Sequence, residues 1–116
     1  MSKNFASLIA LAVKVRDHYN ELQVKDNQKQ WTVTDRMSGY VGDVGALSKL
    51  IMAKQGIRRG PENLDEEIAH ELADNLWSLL VIADELNIDL ESAYVKVMDE
   101  LHARIERQKK DSELLR

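Results

Sequence analysis

EEIAHELADNLWSLLVIADELNIDL, residues Glu66 to Leu90, decides the fold. At about 100° per residue, Ile68, Leu72, Leu76, Leu79, Ala83 and Leu86 fall on one broad apolar stripe, the signature of an amphipathic helix. Trp77 and Leu80 lie beyond that stripe, so the helix is apolar over about half its circumference. Beside the stripe, Glu67, Glu71 and Asp74 stand at i, i+4 and i+7, and Ser78 and Glu85 continue the line. Like charges at this spacing repel by a few tenths of a kcal/mol per pair. No lysine or arginine interleaves them between Glu62 and Lys96. Either the line is a solvated acidic face, or it gathers carboxylates for a hard cation such as Mg²⁺.

Working outward, the C-terminal neighbour is a second amphipathic pattern. Asp89 is placed to cap a helix carrying Leu90, Tyr94, Val97, Leu101 and Ile105 on one side. The tail after Gln108, KKDSELLR, is charged and is expected to fray. On the N-terminal side, Gly60-Pro61 breaks the helical pattern, and Asn63 followed by Glu66 matches a capping box. Before that connector the spacing predicts a helix over Asp35 to Gln55, capped by Thr34 or Asp35 and ended by Gly56. Its apolar positions are Met37, Tyr40, Val44, Leu47 and Ile51. Gly39, Gly42 and Gly45 recur along one side, each costing about 1 kcal/mol relative to alanine, which implies the close approach of a neighbouring helix. The first helix is expected from about Asn4 to Leu22 or a little beyond, with Phe5, Leu8, Ala12, Val15, Tyr19 and Leu22 in steps of three and four. Val24 to Gln30 is a polar connection, and Trp31 packs down on the domain or lines a pocket.

Composition sets the limits. The 116 residues make one domain, with an ordered core of about 4–108 and a charged tail at 109–116. One proline and five glycines suit long helices better than β-turns. The absence of cysteine excludes disulfides, zinc-thiolate sites and thiol catalysis. A net charge of −4 argues against a nucleic-acid polymer as partner. Phe5 to Val13 is apolar, but it passes into Lys14, Arg16 and Asp17 without a cleavage site, so it reads as helix and not as a leader. No segment reaches the ~20 apolar residues of a membrane span, and a cytoplasmic protein is expected. The predicted fold is all-α, a four-helix bundle. The apolar surface of the third helix exceeds what a small monomer covers, which predicts a homo-oligomer.

Asp43 projects at the edge of the second helix's apolar stripe. If helices two and three pack antiparallel, Asp43 faces Glu71 and Asp74, and carboxylates from two helices converge at the edge of the core. Mg²⁺ binds a few carboxylates together with substrate phosphates, so such a site suits a triphosphate.

GDVGALSKLIMAKQG (Gly42 to Gly56), followed by the Glu66–Leu90 stretch, resembles the MazG-like, all-α nucleoside triphosphate pyrophosphohydrolases. The likeness covers about two thirds of the chain, from Trp31 to Ile105. It implies Mg²⁺-dependent hydrolysis of nucleoside triphosphates to the monophosphate and pyrophosphate, by a dimer or tetramer. That family carries a Glu-x-x-Glu pair on one helix and a Glu-x-x-Asp pair on the next. The second pair is present as Glu71 and Asp74, the expected catalytic and metal-binding residues. The first is represented by Asp43, and its second acid falls on Ala46. Glu67, one turn before Glu71, is the reserve metal ligand. Asn75 is a substrate-contacting position by the same resemblance.

For the substrate's phosphates, Lys54 lies on nearly the same face as Asp43, roughly 16 Å along the helix, and Arg58 or Arg59 offers a bidentate grip. Trp31 and Tyr40 offer rings for a base. His18, His70 and His102 fall in no metal-ligand spacing, and His70 is expected on a different face from Glu71 and Asp74. Ala46 motivates a second reading, a homologue that binds nucleotide without turning it over. A third is a helical interaction module with a solvated acidic stripe.

Overall fold

The computed structural model describes residues 4–115, and among these every regular element is a helix. The four are α1 (Phe5–Lys25), α2 (Val33–Lys54), α3 (Leu64–Glu85) and α4 (Leu90–Leu114). The expected all-α architecture with four helices is present.

The helix ends follow from local chemistry. The Asn4 side chain accepts the Ser7 amide at 2.9 Å to start α1, and the helix runs on to Lys25, a little beyond Leu22 as expected. α2 starts two residues earlier than predicted. Its N-cap is Thr32, not Thr34 or Asp35: the Thr32 hydroxyl accepts the Asp35 amide, and the Asp35 carboxylate accepts the Thr32 amide at 2.9 Å. This reciprocal pair satisfies two orphan donors. Gly56 ends α2 as expected, with φ +77, and the Ile57 amide donates to the Met52 carbonyl. Asn63 precedes α3 but makes no side-chain cap bond. The predicted capping box with Glu66 is absent, and the Asn63 side-chain amide donates to Glu67 Oε1. Asp89 caps α4 through the Ser92 amide. α4 then continues to Leu114, past Gln108, where the sequence was expected to fray.

α3 is the central helix, packed against α2 on one side and α1 on the other. The core is small: Ala12, Leu80 and Val81, closed by Phe5, Leu8, Ile9, Trp77 and Leu90. The buried face of α3 shares only Ala83 with the predicted stripe. Asn75, Ser78, Leu80, Val81 and Ala83 are buried, whereas Leu72, Leu76, Leu79 and Leu86 are exposed. Val81, fully buried, lies about 180° round the helix from Leu72 at 100° per residue. A helix apolar on two sides gives its period no means of saying which side meets its own chain.

α4 has no buried residue. The radius of gyration is 19.0 Å, against about 13 Å for a compact domain of this length. The longest extent is 67 Å. The fourth helix stands away from a three-helix body instead of closing a compact bundle. Among the described residues no helix is long and apolar enough to cross a membrane.

The three glycines of α2 also resolve individually. A Cβ on Gly39 would meet the Trp31 ring at 3.1 Å, so the close approach there is by an aromatic side chain, not by a helix. Nothing lies within 4 Å of a Cβ at Gly42 or Gly45. The tighter contact is at Gly60, where a Cβ would come within 2.7 Å of the Ala53 Cβ.

Candidate functional site

The acidic line of α3 is only partly solvated, with the Asp74 side chain 46% exposed. Ser78 is buried, Glu85 binds the buried Arg36, and Glu71 Oε2 is shut from solvent with no hydrogen-bond partner. The line borders a cavity of about 660 Å³ between the three packed helices. α1 contributes Val15, Tyr19 and Gln23 to it, the α1–α2 connection Gln28 and Trp31, α2 Arg36 and Asp43, and α3 Ala73, Asp74 and Trp77. A narrower recess of about 180 Å³ leads on past Gly39 to Ser78 and Val81.

Aromatic rings form much of this wall. Trp77 donates its indole N–H to the Ala12 carbonyl at 3.1 Å, which fixes the ring between α1 and α3. Tyr19 meets it edge to face, with centroids 6.0 Å apart. The Arg36 guanidinium lies 5.9 Å from the centroid of a Trp77 ring, within cation–π range. Trp31 is half exposed and rests against Gly39, with its backbone amide donating to Gln23 Oε1 at 3.3 Å. Packing and pocket-lining, the two roles open to Trp31, are combined.

Charge in the site is held by a network tying α1, α2 and α3. Arg36 donates to Glu85 Oε1 at 2.7 Å and to Asn20 Oδ1 at 3.2 Å. Arg16 donates to Asp84 Oδ2 at 2.7 Å and stands 3.9 Å from Glu85. Burial works against the Arg16 charge, but its bonds to Asp84 and Asp17 outweigh that and raise its pKa.

Asp43, Asp74 and Trp31 are brought together on one cavity. Glu71 lies one turn before Asp74 on α3 and outside the cavity lining. Asn75 is buried and donates to the Glu71 carbonyl at 2.7 Å, a bond within its own helix. Glu67 accepts from Asn63. Lys54 is not at the cavity; it pairs with Asp65 at 2.7 Å across the α2–α3 connection. Arg58 and Arg59 are exposed in that connection, and Ala46 is exposed on α2. His70 was expected on a face apart from Asp74, yet its Nε2 lies 3.1 Å from Asp74 Oδ2, because residues four apart on a helix are neighbours.

Arg36, Tyr19, Gln23, Gln28 and Trp77 line the cavity without having been singled out for it. Arg36 left a trace: with Gly39 and Asp43 it sits at i, i+3 and i+7 on one face of α2.

Among the described residues no three His, Cys, Asp or Glu side chains gather closely enough to hold a metal ion. A Mg²⁺ ion carried by phosphates takes only one or two protein carboxylates. Asp43 and Asp74 supply two. No family model, curated protein or solved structure matches the chain.

Proposed function

We propose that this chain is a MazG-like nucleoside triphosphate pyrophosphohydrolase that takes its substrate as the Mg²⁺ complex. The observation that carries this reading is that Asp43 and Asp74, from two helices, share one cavity with Trp31, Trp77 and Tyr19. A nucleotide needs both halves of that wall. Aromatic faces stack on any base, and the Gln23 and Gln28 amides offer donors and acceptors to its edge. The carboxylates receive the cation carried by the phosphates.

Mg²⁺, when bound with the substrate, neutralises charge on the phosphates. Asp43 and Asp74, which line the cavity, are the residues that would hold it. A water oxygen bonds to the α-phosphorus, the bond to the α–β bridging oxygen breaks, and pyrophosphate leaves with that electron pair. Asp74, which lines the cavity, takes a proton from the attacking water.

The test is pyrophosphate release from a panel of ribo- and deoxynucleoside triphosphates, with and without Mg²⁺, beside Glu71→Gln and Asp74→Asn. The expected result is Mg²⁺-dependent release lost in both variants. Normal turnover by Asp74→Asn would remove the proposed proton acceptor. A second reading, nucleotide binding without turnover, is favoured by Ala46, which stands on α2 where the family pattern has an acid. It predicts calorimetric binding of a non-hydrolysable triphosphate with no product from the natural ones. Neither binding nor release would exclude both.

A further inference from the structure

Arg36 is 5% exposed and, among the described residues, is the one cation lining the cavity. It also lines the narrower recess, beside Gly39, Ser78 and Val81. A guanidinium carries five N–H donors and no acceptor. Two of them are engaged here: Nε with Glu85 Oε1 at 2.7 Å, and one Nη2 hydrogen with Asn20 Oδ1 at 3.2 Å. Nη1 has no hydrogen-bond partner among the described residues. The one side-chain polar atom sealed from solvent without a partner there is Glu71 Oε2. Nη1 therefore opens onto accessible space, and the space that Arg36 borders is the cavity and its recess. Glu85, Asn20 and the Trp77 ring 5.9 Å away hold the group in place before any ligand arrives.

Position decides which acceptor it meets. Asp43 lies two turns on, about 10 Å along α2, and Glu85, which holds Arg36, is roughly 16 Å along α3 from Asp74. The two cavity carboxylates thus stand toward one end and Arg36 toward the other, against the Trp77 ring. Granting the cavity its proposed nucleotide, we infer that Arg36 reads the base: its unspent N–H edge donates to a ring carbonyl, so the site takes carbonyl-bearing bases and selects against adenine. Glu85 already balances the guanidinium charge, which suits a neutral acceptor better than a phosphate. Adenine presents ring nitrogens and an amino group, and no carbonyl. That amino group would set donor against donor and leave a buried charged group without an acceptor. Stacking on Trp31 and Trp77 tolerates any base, so the discrimination belongs to Arg36.

Hypoxanthine carries a carbonyl where adenine carries its amino group, at unchanged ring size. The test is calorimetry with the Mg²⁺ complexes of inosine, uridine and adenosine triphosphate analogues in which a methylene replaces the α–β bridging oxygen. Inosine and uridine are expected to bind the unmodified protein roughly tenfold or more tighter than adenosine. That comparison does not depend on how any variant folds. Arg36→Lys keeps a cation for Glu85 without the planar fork, and is expected to bring inosine and adenosine close to parity. Equal affinity for inosine and adenosine in the unmodified protein would overturn the base reading and leave the nucleotide site standing. So would an Arg36→Lys chain that loses affinity for all three by one factor, which would put the group on the phosphates or in the framework. Binding of none of the three would sink the nucleotide site itself, and the base reading with it.

Discussion

Arg36 Nε donates to Glu85 Oε1 at 2.7 Å, joining the first turn of α2 to the last turn of α3 across 49 positions of sequence. Arg36 is 5% exposed and the Glu85 side chain 21%. Removing one partner of a buried pair leaves the other charge uncompensated, at a cost of about 3–5 kcal/mol when both are fully buried. Glu85 keeps some solvent, so Glu85→Gln is expected to destabilise by about 2 to 3 kcal/mol in chemical denaturation. Arg36→Met combined with Glu85→Leu should lose less than the two single changes added together. A Glu85→Gln loss at the level of an exposed pair, under about 1 kcal/mol, would show that the network does not hold the helices.

The α2 glycines separate by what surrounds them. Gly42→Ala and Gly45→Ala meet nothing within 4 Å, so each should stabilise the fold by up to about 1 kcal/mol through helix propensity. Gly60→Ala would set its Cβ 2.7 Å from the Ala53 Cβ, where no flexible side chain can yield, and should lower the melting temperature. Stability that falls at Gly42 or stays constant at Gly60 would contradict these placements.

Trp31 and Trp77 line one cavity with Asp43 and Asp74. A Mg²⁺-bound triphosphate entering it should quench the intrinsic tryptophan fluorescence saturably. Trp31→Ala is expected to weaken that binding by roughly tenfold, from the loss of about 1–3 kcal/mol of stacking. Quenching of equal midpoint in Trp31→Ala and the unmodified protein would place the nucleotide elsewhere.

Two helix starts carry a pH dependence. The Asp35 carboxyl is held below its ordinary value chiefly by the Thr32 amide, and that of Asp89 chiefly by the Ser92 amide. A carboxylate depressed in the folded state stabilises it above the unfolded pKa, and that contribution is lost as pH falls through the folded value. Both caps should therefore hold at neutral pH and weaken below about pH 4. Loss of amide-exchange protection at Thr32 and Ser92 in acid would report this. Thr32→Ala at neutral pH is expected to cost about 1 kcal/mol.

Much of the fold was legible before any coordinates. The existence and order of four helices followed from three-and-four spacing, and Gly56 and Asp89 marked ends because a left-handed residue and a cap are local needs. Asp43, Asp74 and Trp31 were identifiable by residue type. Arg36 was not, because a single arginine one turn into a helix looks the same whether it meets water or Glu85.

What the sequence by itself determined is what depends on near neighbours along the chain: helical periodicity, most helix ends, the acidic line of α3 and the absence of thiol chemistry. Tertiary structure decided which side of α3 is interior, that its acidic line borders a cavity, that Lys54 pairs with Asp65, and that α4 stands clear of the body. The physical reason is that periodicity fixes the relative angle of side chains around one axis but not the rotation of that axis against its neighbours. α3 is apolar on two sides, and only packing against α1 and α2 selected Val81 over Leu72 for the core.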